Sequence, residues 1–198
     1  SLLLLIAQPY RFDRAILMGS GGAPMTPTPD LVSMVKYYDD PSPEAMLSLI
    51  RAFMVDTSRY GDAIEQIAAD RARYAARADI RRSHERTFSP QGPPLVFTPE
   101  QLAGIDHQVL LLHGREDRII PVAASHHLAQ HLPNAQLHVL PNTGHWVQIE
   151  QAEDGQDAVE HLDDGDLGAV GVIEVGELHA DGAGADDDEL LRLGGQRH

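Results

Sequence analysis

The sequence predicts an α/β fold built on a parallel sheet. Three short apolar runs are bounded by glycine or proline, as buried parallel strands commonly are: Arg14–Ser20, Gln108–Gly114 and Gln136–Pro141. Between the last two runs, Val122, Leu128 and Leu132 can share one face of a helix that ends before Pro133. Strand, helix and strand at this spacing predict a βαβ unit with a right-handed crossover.

Residues 21–100 predict a helical insertion between the first two strands. A Gly/Pro-rich stretch, GGAPMTPTP, leaves the first strand, and two helical stretches follow at residues 42–56 and 61–82, each beginning at a Ser or Asp cap. Thr98 and Glu100 indicate the start of a short helix before the next strand. An insertion in this place commonly forms a lid over an α/β active site.

Composition bounds the class of protein. With 198 residues and 42% hydrophobic residues, the chain is expected to form one domain. The sequence has no apolar run near the roughly 20 residues of a membrane span, and its opening segment has no basic start or small-residue cleavage site. We therefore expect a cytoplasmic protein that does not enter the membrane. The lack of cysteine excludes disulfides, thiolate metal sites and a cysteine nucleophile.

The formal net charge of −15 is unevenly distributed along the chain. Residues 151–198 hold 14 of the 30 acidic and 2 of the 15 Lys and Arg side chains, a net charge of −12, which leaves −3 for residues 1–150. A nearly balanced body presents no basic surface for nucleic acid and no polybasic patch for a membrane.

The residue alphabet also changes at about residue 151. From there on, every residue except Ile173 can be encoded by a codon that begins with G or C. One hypothesis is that residues 154–198 are a frame-shifted or antisense reading. The alternative is an acidic, Gly/Ala-rich disordered tail. Both predict little packed structure, with one candidate strand at residues 170–178, VGVIEVGEL.

Two polar residues follow neighbouring predicted strands. Asp117 comes shortly after the Gln108–Gly114 run, and His145 follows the next strand. The carboxyl ends of parallel strands meet at one edge of the sheet, which is where ligands bind in open α/β sheets. A carboxylate beside an imidazole fixes its tautomer and stabilises the imidazolium formed when the other nitrogen takes a proton. Taken singly, Asp117 could belong to a solvated charged turn and His145 to a helix cap or the core, but together they predict a base and its orienting acid.

Four segments resemble one known family over residues 1–153. These segments are RFDRAILMGSGG, HGREDRIIP, NAQLHVL and GHWVQIE. They resemble the α/β hydrolases that cleave meta-ring-fission products of aromatic degradation, the 2-hydroxymuconic semialdehyde and 2-hydroxy-6-oxo-dienoate hydrolases. The resemblance implies the C-terminal part of an α/β-hydrolase fold, with a core helix and strand in residues 1–20, a helical lid in 21–100, and strands carrying the triad acid and base in 101–153.

Residue by residue, the resemblance implies roles for four side chains. Asp117 would be the triad acid, His145 the base, Trp146 a wall of the substrate pocket, and Arg73 the lid arginine near the dienoate. Arg71 is the alternative alignment, and a solvated helix charge is the other interpretation of Arg73. The implied reaction is hydrolysis of a carbon–carbon bond in a small acidic substrate, without a cofactor, and the family suggests a homo-oligomer.

The sequence contains no serine in a G-x-S-x-G motif. Ser20 comes nearest, but Met18 stands where the first glycine belongs. The resemblance places the catalytic serine shortly before Ser1, so we expect a fragment that is inactive by itself. The alternatives are another α/β hydrolase, such as an esterase, and a binding module without activity.

A metal site is not expected. Seven histidines lie between His107 and His145, and His127 and His131 are four residues apart on the predicted helix. No carboxylate or third ligand is placed to complete a site with them. The acidic stretches of the tail lack the ligand spacing of a calcium-binding loop.

Overall fold

The computed structural model describes residues 2–151 and the strand Val170–Val172. That strand falls in the segment for which the sequence indicates one. The remaining expectations for residues 154–198, a disordered or frame-shifted tail, lie outside the described residues.

The sheet is parallel throughout, as the sequence predicts. Its order is β3-β2-β1-β4, and every strand pair in it is parallel. The strands are β1 (Arg14–Met18), β2 (Gln108–Gly114), β3 (Ala135–Leu140) and β4 (Val170–Val172). In the register between the two central strands, Ile16 lies opposite Leu110.

Eight α-helices lie in residues 2–151. They are α1 (Leu2–Ala7), α2 (Pro29–Val35), α3 (Pro43–Phe53), α4 (Ala63–Ala75), α5 (Ala78–Thr87), α6 (Pro99–Ala103), α7 (Ala123–His131) and α8 (Val147–Glu150). The predicted helical stretch 61–82 is divided in two because Arg77 takes an extended conformation, with ψ of 138°. The predicted start of α6 is a capping box, in which Thr98 and Gln101 each bond the other's backbone N–H.

Strand β2 is buried on both faces, as central parallel strands are. Its residues Val109 and Leu111 pack in one cluster with Leu128 and Leu132, from the region of α7. Its alternate residues, Leu110 and Leu112, pack in a second cluster with Val147 of α8.

Helices α2–α5 form the predicted insertion between β1 and α6. The two ends of the insertion lie side by side, because Gly22 forms an isolated bridge with Val96 and its carbonyl accepts the N–H of Phe97. The insertion has its own apolar cluster, and Trp146, which directly precedes α8, is buried within it. The core of the insertion is therefore continuous with the loop that carries His145.

In the part of the chain that the structure describes, no helix has the length and hydropathy needed to span a bilayer.

Candidate active site

Asp117 and His145 meet at the carboxyl end of the sheet. The Nδ1–H of His145 donates to Oδ2 of Asp117 over 2.8 Å. An ionised carboxylate only accepts hydrogen bonds, so the shared proton belongs to Nδ1 and the lone pair of the neutral ring lies on Nε2. Both side chains are buried, with 8% of His145 exposed. The pair therefore has the geometry of a general base held by its orienting acid.

The Asp117 carboxylate is held by four N–H groups. Its Oδ1 accepts from the backbone N–H of Ile119 and Ile120 at 2.8 and 2.9 Å. Its Oδ2 lies 3.2 Å from Nε2 of His113 in addition to its bond with His145. Burial by itself raises the pKa of this carboxyl, but the hydrogen bonds from His113 and His145 outweigh burial and lower the pKa to about 2. Asp117 is therefore an anion at neutral pH.

His113 is a part of this site to which the sequence analysis assigned no role. It is the sixth residue of β2 and is fully buried. A usable signal was present, because side chains alternate along a strand and His113 shares the face of Val109 and Leu111, which packs against α7. A histidine at the carboxyl end of that face lies next to the turn that carries Asp117.

The loop that carries His145 is bonded to the insertion through backbone atoms. The carbonyl of Phe53, at the end of α3, accepts the N–H groups of both His145 and Trp146, at 2.7 and 3.1 Å. The carboxylate of Glu150 accepts from Val55 N and Gly144 N, each at 2.7 Å. These four hydrogen bonds fix the position of the candidate base relative to the insertion.

Two glycines make room for this arrangement. A Cβ at Gly114 would lie 2.0 Å from the carbonyl oxygen of Gly144, so the end of β2 can pack against the His145 loop only without a side chain. Gly19 follows β1 with φ of +54°, and a Cβ there would lie 3.0 Å from Nδ1 of His145.

A cavity of about 120 Å³ lies between the insertion and Trp146. Its lining is largely apolar and aromatic, from Met34, Tyr37, Tyr38, Met46, Leu49, Phe53, Arg71, Tyr74, Ala75, Ile80, His84 and Trp146. Two of its polar atoms, the Tyr37 hydroxyl and the Trp146 indole N–H, are buried without a hydrogen-bond partner among the described residues. The Arg71 guanidinium carbon lies 4.4 Å from the centroid of the Trp146 ring. A mostly apolar pocket with one cation suits a planar organic anion.

Arg73 does not reach this cavity. Its side chain is 78% exposed and pairs with Asp70 at 2.7 Å. The two arginines are two positions apart on α4 and therefore project in directions about 200° apart. Arg71, the alternative in the sequence analysis, is the one placed beside Trp146.

The histidines of α7 form no metal centre in the described ranges, where no three potential ligands come together. The rings of His127 and His131 lie 4.3 Å apart, and Nδ1 of His131 donates to the His127 carbonyl.

A parallel sheet with an acid and a histidine at its carboxyl edge defines the class as α/β hydrolase. Residues 1–152 match the model of the alpha/beta hydrolase fold family, and the chain belongs to that family. The chain is 37% identical over 161 residues to the 2-hydroxymuconate semialdehyde hydrolase of Pseudomonas putida, a match that covers 77% of this chain and 54% of the relative. It is 33% identical over 165 residues to the 2-hydroxy-6-oxo-6-phenylhexa-2,4-dienoate hydrolase of Burkholderia cepacia, covering 77% and 54%.

Solved structures of related hydrolases are similar to this chain in both fold and sequence. A serine hydrolase from the polyaromatic-hydrocarbon-degrading bacterium Cycloclasticus zankles superposes with a TM-score of 0.74 and 40% identity, covering 80% of this chain and 58% of that one. The 2-hydroxy-6-oxo-6-phenylhexa-2,4-dienoate hydrolase of Rhodococcus sp. strain RHA1 gives 0.71 and 34%, covering 81% and 58%. The resemblance to hydrolases of meta-cleavage products is thereby confirmed. The chain spans about half the length of the curated relatives it matches.

Proposed function

We propose that residues 2–151 supply the acid, the base and part of the substrate pocket for hydrolysis of a carbon–carbon bond in a 2-hydroxy-6-oxo-dienoate. The catalytic serine lies outside the 198 residues in this proposal. The observation that carries it is the 2.8 Å hydrogen bond between Asp117 and His145 next to a cavity walled by Trp146 and Arg71. The substrate class is that of the related 2-hydroxymuconate semialdehyde and 2-hydroxy-6-oxo-6-phenylhexa-2,4-dienoate hydrolases.

In this mechanism His145 acts through Nε2. It takes the proton of the serine hydroxyl, or of a water that the serine helps to activate, while its Nδ1–H stays bonded to Asp117. Asp117 remains ionised and stabilises the imidazolium that forms. Its low pKa, about 2, keeps it from taking the proton itself.

The substrate needs a preparatory step before its carbon–carbon bond can break. The dienol first ketonises: its O–H proton leaves and a proton is added at the carbon next to the distal carbonyl. The oxygen nucleophile then adds to that carbonyl. When the carbon–carbon bond breaks, its electron pair goes to the ketonised fragment as a dienolate, which takes up the proton held by His145 and leaves as 2-hydroxypentadienoate. The other fragment is a carboxylic acid, formed directly if water is the nucleophile, or by water hydrolysing the acyl ester if serine is.

Arg71 is the cation that we assign to the substrate carboxylate, in place of Arg73. A guanidinium pairs well with a carboxylate in a setting from which water is largely excluded. The flat apolar walls of the cavity, among them Phe53 and Trp146, suit the planar diene.

The test begins at the genetic locus, by sequencing through both ends of this reading frame. If an upstream G-x-S-x-G motif is in frame, we expect the longer chain to consume 2-hydroxymuconate semialdehyde. The loss of the substrate's visible absorbance measures this reaction. Asp117→Asn and His145→Ala should each lower kcat by about 10³-fold or more. Hydrolysis of p-nitrophenyl esters without cleavage of the ring-fission product would contradict the proposal and indicate an ester hydrolase.

The 198-residue chain provides a second test. It should not react with a fluorophosphonate, because no serine of the 198 residues stands in a G-x-S-x-G motif, and the serine that bonds His113, Ser125, is only 1% exposed. Covalent labelling of a serine in this chain would show that the nucleophile had been assigned to the wrong place.

A further inference from the structure

A buried series of hydrogen bonds connects helix α7 to the carboxylate of Asp117. The hydroxyl of Ser125, on α7, lies 2.7 Å from Nδ1 of His113. The other ring nitrogen of His113, Nε2, lies 2.8 Å from the carbonyl oxygen of Ile120 and 3.2 Å from Oδ2 of Asp117. The side chains of His113 and Asp117 are completely buried, and Ser125 is 1% exposed.

The direction of each bond follows from the chemistry of the groups. A carbonyl oxygen only accepts, so the proton of His113 is on Nε2, which donates to Ile120 and faces Asp117. Nδ1 of the neutral ring then carries the lone pair and accepts the Ser125 hydroxyl proton. The Ile120 carbonyl therefore sets the tautomer, and the Ser125 hydroxyl, which can donate, bonds the other nitrogen and holds the ring in place.

The groups that contact the Asp117 carboxylate, besides His145, come from two parts of the fold. The N–H groups of Ile119 and Ile120 belong to the same turn as Asp117, so they shape the turn without fixing its place on the sheet. His113 belongs to β2 and Ser125 to α7. The Nε2–H of His113 donates to the Ile120 carbonyl, and the same nitrogen lies 3.2 Å from the Asp117 carboxylate, so His113 contacts both ends of the turn. The two loops also meet at the backbone, where the N–H of Glu116 donates to the Thr143 carbonyl. What His113 adds is a side-chain contact from the sheet to the Asp117 carboxylate itself, the group that must face His145.

We propose that His113, oriented by Ser125, is a positioning residue that keeps Oδ2 of Asp117 aimed at Nδ1 of His145. The inference rests on the proposed function for its catalytic meaning, but the geometry it describes needs no substrate. Its test is therefore a spectroscopic one on the 198-residue chain: the low-field NMR signal of the proton between His145 and Asp117, assigned by its loss in His145→Gln.

Three variants separate positioning from bulk stability. His113→Met has similar size and no donor, His113→Gln restores an N–H near the place of Nε2, and Ser125→Ala removes the hydroxyl that bonds Nδ1 and holds the ring. Val109→Ala is the matched control, because it truncates a buried side chain on the same face of β2 and is expected to destabilise the fold without touching Asp117.

His113→Met should shift the low-field signal upfield and speed its exchange with water by about tenfold. Ser125→Ala should give a smaller change in the same direction, and His113→Gln should stay close to the original signal. Val109→Ala should lower the unfolding midpoint and leave the signal in place.

An unchanged signal in Ser125→Ala and in a folded His113→Met overturns the proposal, as does an equal change in Val109→Ala. If His113→Met does not fold, Ser125→Ala and His113→Gln decide the matter. Failure of the longer chain to cleave the ring-fission product would leave these spectra unaffected, so the two proposals fail separately.

Discussion

Arg71 lies over the indole of Trp146, with its guanidinium carbon 4.4 Å from the ring centroid. One residue belongs to helix α4 of the insertion and the other directly follows His145. The stack therefore places a cation from the insertion on the wall of the cavity, against the residue that follows the candidate base in the sequence.

Arg71→Gln should weaken binding of a dienoate. Sorbate (hexa-2,4-dienoate) is a suitable probe, and Trp146, the only tryptophan of the chain, reports its binding by fluorescence. We expect the dissociation constant to rise about tenfold, because a charge-assisted hydrogen bond is lost. Arg73→Gln is the control and should bind sorbate like the original chain, since Arg73 is solvent-exposed and paired with Asp70. Equal weakening by both changes would contradict the assignment of Arg71.

Asp117 should make folding stability depend on acid pH. Its pKa is lowered from 3.8 to about 2 in the folded state, so folding favours the anion. The resulting stabilisation, about 2 kcal/mol, is present above pH 4 and is lost as the pH falls through 2. The difference in urea unfolding free energy between the original chain and Asp117→Asn should shrink over that range. If the difference in unfolding free energy stays constant from pH 5 to pH 2, the lowered pKa of Asp117 does not contribute to stability.

Gly114→Ala should destabilise the protein strongly. The new Cβ would lie 2.0 Å from the Gly144 carbonyl oxygen and 2.3 Å from that of Thr143, both of them backbone atoms. We expect a loss of about 3 kcal/mol or more in the free energy of unfolding. Gly104→Ala is the matched control, because its Cβ would meet no atom closer than 3.6 Å and its effect should be within about 1 kcal/mol of zero.

Glu150→Ala should loosen the contact between the insertion and the His145 loop. The N–H groups of Val55 and Gly144 each donate to this carboxylate, and without it they lose their 2.7 Å partner. Hydrogen exchange at these two amides should become at least about tenfold faster. Glu65→Ala, an exposed change on α4, should leave both rates unaltered. Unaltered rates in Glu150→Ala would show that other contacts hold the loop.

The two adjacent tyrosines should respond differently to loss of their hydroxyls. Tyr38 donates to the Ala75 carbonyl at 2.9 Å, so Tyr38→Phe should cost about 1 kcal/mol of unfolding free energy. The buried Tyr37 hydroxyl has no partner among the described residues, so Tyr37→Phe should be neutral or slightly stabilising. Thermal unfolding of the two single variants compares them directly, and a larger loss for Tyr37→Phe would contradict this ordering.

Local sequence patterns were sufficient to predict the sheet. The run Gln108–Gly114 forms β2 over the same residues, because a strand buried on both faces must be apolar without interruption. The rule that parallel strands end at one edge of the sheet predicted that Asp117 and His145 lie close together. In the structure, Oδ2 of Asp117 and Nδ1 of His145 are 2.8 Å apart.

The proposal of Arg71 in place of Arg73 rests on packing that a motif does not contain. Both fit the alignment, but the buried face of α4 carries Ile64, Ala68 and Ala72, and only Arg71 is beside that face. The helical repeat was therefore the missing signal. The sequence analysis missed His113 for another reason. Its place at the carboxyl end of β2 pointed to the Asp117 turn, but a histidine in a strand buried on both faces is equally compatible with a purely structural role, and its bond to Ser125 depends on packing.

The carbonyl of Phe53 has a consequence for substitutions at the pocket. It accepts the N–H groups of His145 and Trp146, so the anchor consists of main-chain atoms alone. Such an anchor is indifferent to which side chains occupy the three positions, with proline at 145 or 146 as the exception, because proline has no N–H to donate. The side chains at 53 and 146, both of which line the cavity, can therefore be exchanged for others of similar size without removing the hydrogen bonds that place the histidine.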